Sequence, residues 1–213
     1  MSAFWVSLRI VLPALAFVVP IGAALGFFLA RSRSALRAIV DSLVLVPLVL
    51  PPSVVGYALL IVLGRQGPLG SVLETLFGVR LVFSGAAASI AAATVALPLM
   101  AKGAEAAFVR VDRELEEVAM ANGLGPWATF RLVTLPIALP GLGVATTLAA
   151  LRALGEFGAT LTFAGYSART ATAPLEVYFA MQRGDDARAL SLSLVLVVAS
   201  VGAALLLRAW SRR

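Results

Sequence analysis

Five stretches of this sequence carry no formal charge and are long enough to cross a lipid bilayer: Ile10–Ala30, Ser42–Gly64, Leu81–Ala101, Leu132–Leu151 and Ala189–Leu207. A helix needs about 20 apolar residues to cross a hydrocarbon core of about 30 Å. Backbone amides find no water there, so each stretch is expected to be helical. Of the 213 residues, 61% are hydrophobic and only 13% charged, too little charge to cover a soluble domain of this size. The first stretch is too long for a signal peptide, only Arg9 precedes it, and no cleavage-like site follows, so it reads as a retained span.

The net charge of +6 is not a nucleic-acid signature, because the Arg residues are scattered between apolar blocks. It reads as topology. With Arg31, Arg33 and Arg37 inside the cell, Lys102, Arg110, Arg113, Arg131, Arg208, Arg212 and Arg213 also fall inside. Arg9, Arg65, Arg80, Arg152, Arg169, Arg183 and Arg188 fall outside, over a longer total length. The positive-inside bias places the N-terminus out and the C-terminus in. The stretch 152–188 is different. Its uncharged part, Phe157–Ala168, is too short to cross, and Gly155, Gly158, Gly165 and Pro174 interrupt it. A broken or re-entrant segment packed inside the protein is expected there. A sixth crossing would put Arg208, Arg212 and Arg213 outside, against the charge rule.

The chain has no His and no Cys, which removes soft metal ligands, thiol nucleophiles and the usual general base. No cofactor, no metal site and no catalytic residue is expected. The acidic residues are densest in one loop, where capping and docking explain them better than acid–base chemistry. No soluble domain is expected beside the spans, and residues 1–213 read as one transmembrane domain.

The connection 102–135 is the largest polar piece. Asp112 is an N-cap candidate, and Glu114, Glu116 and Glu117 crowd the first turns, where the helix dipole favours negative charge. Leu115, Val118 and Ala119 fall at helical spacing, and Gly123 is a natural C-terminal stop. Gly125-Pro126 restarts the chain, and Leu135-Pro136 marks the entry to the next span. The expectation is two short helices joined at a sharp Gly turn. Such a helix either rests on lipid headgroups or lays its small residues in a groove of another protein.

The spacing separates these readings. Glu117-Val118-Ala119, then Gly123, Val133 and Leu135-Pro136, resembles the EAA motif of ABC importer permeases, with Val118 and Val133 as mild departures. The resemblance implies a coupling helix that fits a cleft on an ATP-binding subunit, with Glu117, Ala119, Gly123, Leu135 and Pro136 at or bordering that contact. No G-x-x-x-x-G-K-[ST] occurs, so this chain does not cradle ATP phosphates itself and its energy must come from a partner.

Two other motifs narrow the resemblance. Pro47, Pro51 and Pro52 within PLVLPPSVVGY remove helix donors inside the second span and bend or break it, as a structural kink or beside a substrate. In RALGEFGATLTFAG, Arg152 and Glu156 stand four apart and could pair on one helix face. That pair is either self-satisfied structure or an anion guide, Arg152 or Arg169, restrained by Glu156. With the loop, these motifs look like the molybdate permease subunit; sulfate and tungstate permeases are similar here. The resemblance implies an all-α, type I ABC importer permease-like fold in a bacterial or archaeal inner membrane. It also implies a second copy of the chain, two ATP-binding subunits and an extracytoplasmic binding protein as partners, with lipid around them. The expected permeation path takes in Pro51, Pro52, Gly56, Arg152, Gly155, Glu156, Gly158, Thr160 and Thr162. An ion-coupled secondary transporter is the competing class; it usually shows inverted repeats and midplane titratable groups, but no repeat is visible and His is absent.

Overall fold

A computed structural model describes residues 2–210, the side chains of Ser2 and of 206–210 excepted; Arg212 and Arg213 of the charge-based topology lie outside the described residues. The described chain is helical throughout, in the order α1 (Ser2–Arg31), α2 (Ala35–Val49), α3 (Pro52–Leu63), α4 (Pro68–Phe77), α5 (Gly85–Val109), α6 (Arg113–Ala121), α7 (Pro126–Thr129), a π turn (Phe130–Thr134), α8 (Leu135–Leu154), α9 (Gly158–Ala164), α10 (Ala173–Gln182) and α11 (Asp186–Trp210). Four helical stretches are long and apolar enough to cross a membrane: α1, α5, the continuous run Pro126–Leu154, and α11. A fifth is the pair α2–α3, bent by 114° at its break.

The bend has a local cause. Leu50 and Pro51 are extended, and neither Pro51 nor Pro52 can donate a backbone hydrogen bond to continue α2. Ser42–Gly64 is therefore not one straight crossing but two helices meeting at a corner.

The core is built on α5, whose buried face is mostly alanine: Ala87, Ala88, Ala91, Ala92, Ala96 and Ala104 are among its inaccessible residues. Small side chains let backbones approach, which is how helices associate where lipid offers no hydrophobic driving force. A Cβ on Gly22 of α1 would stand 2.5 Å from Met100, and one on Gly26 would stand 2.5 Å from Ala104. The matched spacing means that α1 and α5 run parallel. On the other side, Gly103 faces Ala145 and Gly141 faces Ala107, each with room for no methyl group, so α8 runs antiparallel to α5.

α9 then takes the chain on to where α5 begins. The Phe163 carbonyl accepts from the Phe83 N–H at 3.3 Å, one residue before the Ser84 cap of α5. The stretch expected to be broken or re-entrant thus begins as a short continuation of the α8 span. The start of α10 is fixed to α1, the Ala173 N–H donating to Ser7 Oγ at 2.8 Å.

Candidate functional site

The loop between α5 and α8 folds largely as its residue types dictate. Asp112 caps α6, its Oδ1 accepting from the Glu114 N–H at 3.0 Å. Gly123 has φ +91°, a left-handed conformation that closes the helix. The Gly123 N–H donates to Met120 O at 3.0 Å and the Leu124 N–H to Ala119 O at 3.2 Å, the two bonds of a Schellman ending. Pro126 then opens the next helix at its first position.

One expectation is corrected here. α8 begins at Leu135-Pro136, but the second short helix is not separate from it, because the helical run Pro126–Leu154 is continuous. Pro136 supplies no N–H to the helix ladder, and the π turn at Phe130–Thr134 lies directly before it, with the Leu135 N–H bonded to Phe130 O. The second short helix is therefore the base of the span itself.

Glu117 and Gly123 are exposed, whereas Ala119 is 8% exposed and faces inward. Leu135 is half-buried and Pro136 exposed. Leu115, Val118 and Met120 also project outward, and Trp127 is 72% exposed. These apolar side chains are exposed on the loop, and they complete a surface that only Glu117 and Gly123 had marked.

The anchor of the loop is Glu116, which sequence reasoning placed only among the acidic first turns. Its Oε1 accepts from Arg31 Nη2 at 2.7 Å and from Thr134 Oγ1 at 2.6 Å. Arg31 Nη2 also reaches Val111 O at 3.3 Å. Glu116 therefore joins the end of α1, the loop and the base of α8. Beside it Phe27, Phe108 and Phe130 pack edge to face or tilted, and Trp127 stacks on Phe130 at 5.6 Å.

A second ionic cluster ties α2 to α5 near the same end. Glu105 accepts from Arg37 Nη2 at 2.9 Å and from Lys102 Nζ, which also donates to Asp41 at 2.9 Å. Ionisable groups at this depth are costly unless paired, and each of these is.

The proline- and glycine-rich segments meet each other. A Cβ on Gly158 would contact Pro52 and the Ser53 N–H at 3.1–3.2 Å. A Cβ on Gly56 would stand 2.7 Å from Ala159 O and 2.9 Å from Thr162. The α2–α3 corner is thus seated on the α8–α9 break, far away in sequence. Pro51 and Pro52 are exposed on one side of this junction, while Gly56 and Thr160 are buried within it. Thr162 Oγ1 donates to Gly158 O at 2.9 Å, and Gly155 is open enough to admit a methyl group.

Glu156 is 2% exposed. One oxygen accepts from Arg152 Nη1 at 2.7 Å, the pairing expected from the spacing, and the other accepts from the Ala159 N–H at 2.8 Å. It fastens the end of α8 to the start of α9. Arg169 lies away from this junction, in a groove of about 880 Å³ along α1 and α5 that also holds Arg9. A further carboxylate, Glu176, is buried between Tyr166, Arg183 and Arg188. No motif marked it, though a lone acid in APLEVYFAM is itself a signal.

Spans built on small-residue contacts, a corner of broken helices and a polar loop rooted in three span ends define a multi-pass membrane permease. Its outward loop surface suits a separate motor. Residues 22–213 match the binding-protein-dependent transport system inner membrane component family, and the chain belongs to it. It is 38% identical over 214 residues to a molybdenum transport system permease protein ModB of Escherichia coli, covering 100% of this chain and 93% of the relative. A ModB protein of Mycobacterium tuberculosis is 41% identical over 198 residues, covering 92% and 74%. A probable molybdenum ABC transporter permease of Haloferax volcanii is 40% identical over 199 residues, covering 93% and 69%. Among solved structures, a bacterial alginate ABC transporter in complex with its alginate-bound periplasmic protein aligns with a TM-score of 0.75 at 17% identity, covering 100% of this chain and 78% of that one. An amino acid ABC transporter aligns at 0.69 and 19%, covering 100% and 92%. These two support the all-helical permease fold. The family membership makes this a multi-pass inner-membrane component that works with an ATP-binding subunit and a substrate-binding protein.

Proposed function

We propose that this chain is the membrane-spanning subunit of a molybdate importer. Two copies surround one path, each carrying an ATP-binding subunit on its loop, and one extracytoplasmic binding protein delivers the anion. Residues 1–213 act as a single permease domain, and the loop 102–135 is the cytoplasmic coupling element. The permease itself hydrolyses nothing.

The observation that carries the reading is the α6 loop. Glu116 locks it to the ends of α1 and α8 while Leu115, Val118, Met120 and Glu117 remain exposed. A rigid, partly apolar protrusion continuous with a span is what transmits a motor's stroke. Full-length similarity to molybdenum permeases supports the choice of anion. Sulfate and tungstate stay as alternatives, because selection rests with the binding protein and the path needs only weak contacts.

The test is reconstitution of the chain with its ATP-binding subunit in proteoliposomes, with the binding protein on the outer side. Molybdate uptake should require ATP, and a sulfate excess should not compete. Uptake that needs an ion gradient and no ATP would establish the secondary-transporter class instead.

A further inference from the structure

We infer that each copy of this chain binds the phosphate headgroup of an anionic phospholipid at the cytoplasmic ends of α1 and α5. The cytoplasmic assignment rests on the importer reading; the site itself rests on the geometry of the span ends.

A recess of about 640 Å³ lies where α1 ends and α5 passes into α6. Arg31, Arg33, Arg110 and Arg113 line it, against one carboxylate, Asp112. Two of the four guanidinium groups have work elsewhere. Arg31 pairs with Glu116, and Arg113 Nη2 donates to Arg31 O at 3.3 Å, closing the end of α1. Asp112 is occupied in capping α6. Among the described residues, Arg33 and Arg110 make neither a salt bridge nor a side-chain hydrogen bond, and both are exposed. Arg31 Nε is buried and also lacks a partner. Four cations against Asp112 and Glu116 leave an excess of two, concentrated where planar donors suit a phosphate.

Position selects a lipid over a soluble or protein anion. The recess sits at the ends of two spans, at the level of the membrane surface. Its wall includes Val109, 61% exposed, which lines the recess together with Arg110. An apolar side chain beside unpaired arginines at a span end fits a headgroup with its acyl chain alongside. The motor-facing surface, by contrast, is carried by Leu115, Val118 and Met120 of α6.

The test uses the whole importer purified in mild detergent. Retained phosphatidylglycerol is quantified by native mass spectrometry, and binding of the ATP-binding subunit is measured in parallel. An R33Q/R110Q pair should lower phosphatidylglycerol affinity roughly thirtyfold, at about fivefold for each arginine near the surface. Phosphatidylcholine retention and subunit binding should not change. Both residues are exposed, and size-exclusion of the assembled complex checks folding; R33K/R110K should restore most of the affinity. Unchanged phosphatidylglycerol retention in R33Q/R110Q overturns the site. So does displacement of the lipid by millimolar inorganic phosphate, which would mark a soluble-phosphate site. Selective loss of the ATP-binding subunit in the pair would reassign these arginines to the motor. Failure of the wild-type chain to bind any ATP-binding subunit would instead refute the importer reading, with the lipid measurement still standing.

Discussion

At the residue scale, Glu116 and Glu117 are neighbours with opposite duties. Successive helical residues point about 100° apart, so one can face the spans while the next faces solvent. Glu116 binds Arg31 and Thr134, and Glu117 is free for a partner. Glu116→Gln replaces the ion pair with Arg31 by a hydrogen bond from the charged guanidinium to a neutral amide, and should cost about 1–3 kcal/mol of loop attachment. The expected result is normal insertion with substrate-stimulated ATP hydrolysis that drives less transport. Gly123→Pro should be more severe. Proline holds φ near −65° while Gly123 sits at +91°, and the bond from its N–H to Met120 O disappears. Transport per ATP hydrolysed should fall at least about tenfold, the strain being of order 1–3 kcal/mol. Normal ligand-stimulated transport in Gly123→Pro would remove the loop from its coupling role. Local chemistry made Asp112, Gly123 and Pro126 readable in advance, since cap, stop and restart depend on near neighbours. The division between Glu116 and Glu117 was not readable, because it is decided by where α1, remote in sequence, comes to an end.

At the scale of elements, the same distinction recurs. Pro51-Pro52 announces a break and Gly155–Gly158 another, and each follows from its own stretch of chain. That the two breaks pack on one another depends on the tertiary course of α5, against which both are assembled. The glycines in this junction are not equivalent. A side chain at Gly56 would collide with the backbone of Ala159, which has no flexible atom to yield. Gly158 is nearly as tight against Pro52, while Gly155 has only ordinary contact with Leu151 O at 3.5 Å. Overpacking of this kind costs about 1–3 kcal/mol when the surroundings shift, and more when backbone must move. Gly56→Leu should therefore reduce molybdate transport about tenfold or more, with a lower melting temperature of the detergent-solubilised protein. Gly155→Ala should leave both nearly unchanged. Equal loss in the two variants would show that the backbone conformation of Gly155, rather than the α3–α9 contact, governs the junction.

At the scale of the whole molecule, the junction of a single copy is tightly packed among the described residues. Gly56 and Thr160 are closed within it, and the Thr162 hydroxyl is turned onto Gly158 O. Two of the surfaces left uncovered are Pro51, Pro52 and Ser53 on one side and the apolar flank of α11, with Val198 70% and Leu205 60% exposed, on another. These surfaces differ in kind. Proline-broken backbone carries freed carbonyls and belongs beside water or protein, whereas a uniform apolar helix is at home in lipid. The path is accordingly proposed between the α2–α3 corners of two copies, with α11 on the periphery, and α9 as the element whose movement uncovers Thr160 and Thr162. Because α9 is fastened to α8 through Glu156, and α8 is continuous with the motor-facing loop, a stroke at the loop has a mechanical route to this junction. The chain has no cysteine, so single cysteines report without background. With the N-terminus outside, Gln66→Cys should label only from the outer face, and Ser34→Cys and Asn122→Cys only from the cytoplasm. With sidedness fixed in this way, Ser53→Cys should react with a water-soluble reagent in the assembled importer, and Val198→Cys should stay unreactive in lipid. Thr160→Cys and Thr162→Cys should switch reactivity by about tenfold between nucleotide-free and nucleotide-locked states. If Thr160 and Thr162 stay silent in both states while Val198 reacts, water runs along α11, and the corner is a structural hinge only.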